Sequence, residues 1–176
     1  MTVVFDGTVF TSYGQLHLVS GDEEPPPPDG AFFRQANGLC GAAVPGALFL
    51  VTGTHTGDIP VRVVVTDAEP ALGEWEEIVE VSFTPEGTSA AFLGWAGDPV
   101  AGFEAPAPCY RARWSASGMD AGKQQDVADA QDPAPDAYEL ALWPAPGAAD
   151  RIARRTGSVA GEWHDGGFDR SEPPPA

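Results

Sequence analysis

WEEIVEVSFT, Trp75 to Thr84, alternates with a period of two: Trp75, Glu77, Val79, Val81 and Phe83 share one parity, and Glu76, Ile78, Glu80, Ser82 and Thr84 share the other. Successive side chains of a strand point to opposite faces, so this segment reads as a half-buried β-strand. Val79, Val81 and Phe83 form the expected core row, and Glu76 and Glu80 are expected outside. The turn signal PEG (85–87) and the apolar SAAFLGW (89–95) follow. The pair predicts a hairpin.

The same period recurs on either side. Ala47 to Thr52 reads as a buried strand. Ile59 to Thr66 puts Val61, Val63 and Val65 on one face and Arg62, Val64 and Thr66 on the other. TGTHTGD (52–58) between them predicts a second tight antiparallel hairpin. CYRARWS (109–115) sets Tyr110, Ala112 and Trp114 against Arg111 and Arg113. VVFDGTVF (3–10) and YGQLHLVS (13–20) are the early strands, with Leu16 and Leu18 inward, and YELALW (138–143) closes the set. GDEEPPPPDG (21–30) is a stiff exposed loop, because four prolines in a row cannot sit in a central strand. SGMDAGKQQDVADAQDPAPD (117–136) reads as a polar loop. The best helical stretch is 148–163, where Ile152, Ala153, Thr156, Val159, Ala160 and Trp163 recur at three- and four-residue steps. Strand after strand, then one helix, predicts a mainly β protein: a two-layer antiparallel β-sandwich with a C-terminal α-helix. Residues 1–164 are expected to form one domain, and 165–176 a disordered acidic, proline-rich tail.

Composition agrees. In 176 residues, 21 glycines and 18 prolines suit many turns, and a 43% hydrophobic fraction supplies a core. The formal net charge is -17, from 26 acids against 9 bases. That argues against a groove for nucleic-acid phosphates and against anionic membrane surfaces. It favours a basic protein as partner. MTVVFDGTVF has no basic start and no signal-like apolar core, so the expected location is the cytoplasm. Cys40 and Cys109 are expected as free thiols, and no cofactor or metal is expected.

Catalytic motifs are weak. His55 and Asp58 in THTGD are three residues apart and could form a base or two metal ligands, though zinc needs at least three protein ligands. A small-ligand or hydrolytic pocket near His55 is therefore the alternative reading. Neither Ser117 nor Ser158 lies in a GxSxG elbow. Glu76 and Glu80 share a face at about 13 Å, too far for a glycosidase pair. What survives is a surface for a partner: Asp67, Glu69, Glu74, Glu76 and Glu80 along the 67–83 segment. Trp95 and Trp143, whose parity opposes that of Phe92 and Leu142, join them.

YGQLHL, NGLCGA, TGTHTGDIPVRV, WEEIVEVSF, YRARWSASGMD, YELALWPAP and SVAGEWH together resemble a group of uncharacterised bacterial proteins with a sandwich-like domain. More faintly they resemble the competence-associated inhibitors of the nuclease that acts in DNA uptake. That resemblance implies a small protein that binds and restrains a nuclease or similar basic toxin. Its acids would stand in for nucleic-acid phosphates, implicating Glu76, Glu80 and the acids around Asp67.

Overall fold

A computed structural model describes residues 1–21 and 24–174. Asp22 and Glu23 of the proline-rich loop, and the last two residues of the tail, lie outside the described residues. The strands are β1 (Thr2–Thr11), β2 (Gln15–Ser20), β3 (Cys40–Gly41), β4 (Ala47–Val51), β5 (Gly57–Val65), β6 (Glu77–Phe83), β7 (Ser89–Leu93), β8 (Pro99–Glu104), β9 (Tyr110–Ser117), β10 (Ala137–Pro144) and β11 (Arg151–Arg154). Among the described residues, helical pieces accompany them: the kinked turn α1 (Pro28–Ala31), a 3₁₀ turn (Trp95–Gly97), α2 (Met119–Gln125) and α3 (Ser158–Gly166). One sheet has the order β1-β5-β10-β9-β6-β11 and the other β3-β4-β2-β7-β8. This is the expected two-layer, mainly antiparallel sandwich with a C-terminal helix. One ladder departs from it, since β10 runs parallel to β5.

The predicted faces hold. Val79 of β6 pairs with Trp114 of β9, and Leu140 of β10 pairs with Trp114 on one side and Val63 of β5 on the other. All four are fully or almost fully buried and belong to one core cluster, with Leu16, Leu18 and Leu50 supplied by the other sheet. The Trp114 ring stacks on Tyr138 at 4.9 Å, and its Nε1 donates to the Val51 carbonyl at 3.0 Å, joining the two layers. Burial of an indole with its one donor satisfied is the arrangement a sandwich core favours.

The two predicted hairpins are not hairpins. β4 pairs with β2 and β3, whereas β5 pairs with β1 and β10. β6 pairs with β9 and β11, whereas β7 pairs with β2 and β8. Each short turn instead carries the chain from one sheet to the other. Alternation fixes the buried face of a strand but not its neighbour. The anchors that redirect these turns come from distant residues: Gly53 N–H donates to the Tyr138 hydroxyl at 2.6 Å, and Glu86 N–H to Ser20 Oγ at 2.7 Å.

The predicted helix at 148–163 is also corrected. Residues 151–154 form the edge strand β11, with Arg151 opposite Glu80 and Ile152 opposite Val79. The helix begins only at Ser158, after Gly157 in an extended conformation (φ -82°, ψ 157°), and continues to Gly166. Ion pairing of Arg151 to Glu80 and of Arg155 to Asp165 uses side chains that a continuous helix would point elsewhere. The predicted polar loop at 117–136 contains α2. The tail from 165 is not uniformly free either, because Phe168 stacks on Phe32 at 4.3 Å and on Trp163 at 4.7 Å. Cys40 and Cys109 are free thiols.

Candidate functional site

Acids of the 67–80 segment meet arginines from β9 and β11. Glu80 faces outward from the six-stranded sheet as its parity requires, yet its side chain is only 4% exposed. Arg113 Nε donates to Glu80 Oε1 at 2.9 Å, Arg151 Nη2 to the same oxygen at 2.9 Å, and Arg111 lies 3.7 Å from Oε2. Register explains the cluster, since Glu80 sits directly opposite Arg113 on one side and Arg151 on the other. Burial alone would raise the Glu80 carboxyl, but hydrogen bonds from Arg151 and Arg113, with their charges, hold it below the ordinary glutamate value. The remaining Arg113 donors reach the Pro70 and Ala71 carbonyls at 2.7 and 3.1 Å and Glu69 Oε1 at 3.0 Å. The 67–76 loop thus folds over this face and closes it.

Two expected partner-facing residues are therefore internal. Glu80 is enclosed by arginines. Trp143 is buried on the same outer face, with the Arg113 guanidinium 5.0 Å above its ring. Glu69 is half-exposed and shared between Arg113 and Arg151. Asp67, Glu74 and Glu76 are exposed, and Glu76 accepts from Gly118 N–H at 2.7 Å. Arg154 donates to the Gly73 and Trp75 carbonyls between them. The acids of this segment are interleaved with cations and do not form one anionic sheet face.

At the end of the sheet, a cavity of about 330 Å³ is lined by Glu76, Glu77, Asp120 and Thr156 among others. Its carboxylates have internal tasks. Glu77 accepts from Thr156 N–H and Oγ1, both at 3.0 Å, and from Gly157 N–H. Asp120 of α2 accepts from Ser158 and Val159 N–H at 3.0 and 2.8 Å, and so caps α3 from a different helix.

Asp136 is wholly buried, and no cation pairs with it among the described residues. It accepts from Thr54 N–H at 2.8 Å, Thr54 Oγ1 at 2.6 Å and the Tyr138 hydroxyl at 2.5 Å. Burial, and then the Asp136 charge, push the Tyr138 phenol well above its usual value. This lock holds the turn that carries His55.

His55 and Asp58 are not brought together, since no hydrogen bond or ion pair joins them among the described residues. His55 Nδ1 lies 2.8 Å from Thr56 Oγ1, and Asp58 is exposed at the start of β5. Among the described residues, no group of three or more His, Cys, Asp or Glu could hold a metal ion. His55 instead belongs to an aromatic group. Its ring meets Tyr13 edge-on at 5.2 Å, and Tyr13 lies 6.4 Å from Trp95. Trp95, the one predicted tryptophan that stays accessible, opens a single 3₁₀ turn (Trp95–Gly97). Sequence reading missed Tyr13. The Tyr-Gly pair at a chain reversal was the available signal, because a type I′-like turn wants Asn or Gly where tyrosine stands.

No protein-family model matches the chain, and no curated protein matches it. Among solved structures, the fold is similar to that of ComJ, inhibitor of the DNA-degrading activity of NucA, from Bacillus subtilis. Identity is 15%, TM-score 0.56, and the match covers 82% of this chain and 98% of that one. It is also similar to a protein described as crocagin biosynthetic gene J, with 15% identity, TM-score 0.53, and 83% and 100% of the two chains covered. At this identity the likeness shows the fold. No helix among the described residues is long and apolar enough to cross a membrane.

Proposed function

We propose that this protein is an acidic protein-binding domain that occludes a basic partner, and that the partner is a DNA-degrading nuclease. In this reading it acts in the cytoplasm by binding and carries out no reaction. The observation behind it is how the few cations are used. Among the described residues, Arg62, Arg111, Arg113, Arg151, Arg154, Arg155 and Arg170 each donate to an acceptor within the chain. With a net charge of -17, the outer carboxylates are left in large excess. A single-sign surface repels itself and is relieved by an opposite one, which also speeds encounter. The similarity in fold to an inhibitor of DNA degradation supplies the nuclease as the member of the basic class to test first.

The test is to immobilise the tag-free protein, pass over it the soluble fraction of the cells that make it, and elute with rising salt. A basic protein should elute as salt rises, and its DNA-degrading activity should fall when the domain is added back. Retention that ignores salt, or an eluate whose DNA degradation the domain leaves untouched, would overturn the proposal.

A further inference from the structure

The two sheets differ in charge. No lysine or arginine occurs in residues 1–33, 35–61 or 63–110, and those stretches supply all of β2, β3, β4, β7 and β8 with their turns. In the six-stranded sheet Arg111, Arg113 and Arg151 gather around Glu80 and Glu69. The β1–β2 turn, the His55 turn and the Trp95 turn gather at one end of the sandwich, with the prolines 25–28 beside Trp95 and the chain just after α2 accepting from His55 and Thr56 N–H through the Asp126 carbonyl. Glu24, Asp58 and Asp98 are exposed around it, and none pairs with an arginine or lysine among the described residues.

That end also carries features the fold does not use. Tyr13 is 71% exposed although its backbone is left-handed at φ 56°, and Ala96 is left-handed at φ 59° in the neighbouring turn. A side chain held in this region is strained, and such strain concentrates where function requires a particular group. Beside Trp95 lies a cavity of about 270 Å³ walled by the four prolines, Gln15 and His17. His17 is only 4% exposed, and its Nδ1 has no hydrogen-bond partner among the described residues. A buried polar atom left open beside a cavity is what an incoming group would satisfy.

We propose that this aromatic, acid-rimmed surface beside Trp95 is the docking surface for the basic partner. An arginine side chain of that partner lies over the Tyr13 and Trp95 rings and reaches toward His17, with Asp58, Asp98 and Glu24 at the rim. The assignment rests on the basic-partner reading above and places it on a face other than the 67–80 segment. Guanidinium groups stack on aromatic faces and pair with carboxylates, so the combination selects arginine over an uncharged side chain.

The experiment titrates isotope-labelled full-length protein with an amidated peptide of alternating arginine and glycine, with a glutamate–glycine peptide as control. The Trp95 indole and the Tyr13 and His55 amide resonances should shift with the arginine peptide alone, and the shifts should fade as salt rises. Tyr13→Asn places a residue suited to the left-handed turn. It should leave the thermal midpoint unchanged or higher and weaken peptide binding about fivefold or more. Shifts confined to residues 67–80, or a Tyr13→Asn variant that binds as well as the parent, would overturn the assignment and leave the basic-partner reading standing. Absence of any shift at low salt, or equal shifts with the glutamate peptide, would overturn both.

Discussion

Glu80 shows how a surface-looking residue becomes part of the interior. Its carboxylate sits among Arg113, Arg151 and Arg111, so removing it strands positive charge under the 67–76 loop. Loss of one partner from a buried ion pair costs about 3–5 kcal/mol, whereas replacing both with apolar groups is far milder. Glu80→Ala should therefore lower stability by about that amount in urea unfolding, and Glu80→Leu combined with Arg113→Met should recover much of it. A small single-mutant loss would mean that solvent reaches the cluster. Asp136 makes the complementary case of a buried carboxylate satisfied by neutral donors. Asp136→Ala leaves the Thr54 donors and the Tyr138 hydroxyl short of an acceptor and should cost about 2 kcal/mol or more. Hydrogen exchange should quicken first at Gly53 and Thr54, because their turn loses its anchor.

Most strands were legible in the sequence, but β3, β8 and β11 were not, nor was the pairing. The alternation in β5, β6 and β9 gave the buried faces because burial acts on each strand separately. Neighbours depend on contacts far along the chain, so both predicted hairpins proved to be crossings between sheets. The C-terminal segment failed for a related reason. Three- and four-residue spacing at 148–163 suited a helix, but Arg151 finds Glu80 only in a strand, and Gly157 stops the chain before α3. Of the expected site residues, Trp95 is half-buried in its 3₁₀ turn, while Glu80 and Trp143 are drawn in by arginines whose position parity alone could not supply. α3 depends on another long-range contact, the cap from Asp120. Asp120→Ala should destabilise the protein by about 1 kcal/mol. Amide exchange in Val159–His164 should accelerate more than exchange in β9, and uniform acceleration would mean that α3 unfolds only with the sandwich.

Across the whole molecule, acid should weaken the fold in two stages. Burial lowers both His17 and His164 to about 4, and the Arg155 and Arg170 charges add to the effect at His164. The unfolded chain binds these protons near the ordinary value of 6.5, so it gains protons before the folded protein does. Nothing is lost above pH 6.5. Between 6.5 and about 4, each histidine can remove at most about 1.4 kcal/mol per pH unit, and less where water reaches the ring. The second stage involves carboxylates whose folded values are lowered, Glu80 and Asp120 among them. Their contribution is present above the unfolded carboxylate range and disappears as pH falls through the lower folded values. Urea midpoints should therefore fall from pH 6.5 to 5, a range in which ordinary carboxylates remain ionised. His17→Leu keeps the buried volume apolar and removes one of the two titrations, so it should lessen the slope across that interval by roughly half. An unchanged slope would show that His17 takes up its proton in the folded state at the ordinary value. The wall beside Trp95 would then be open to water at His17.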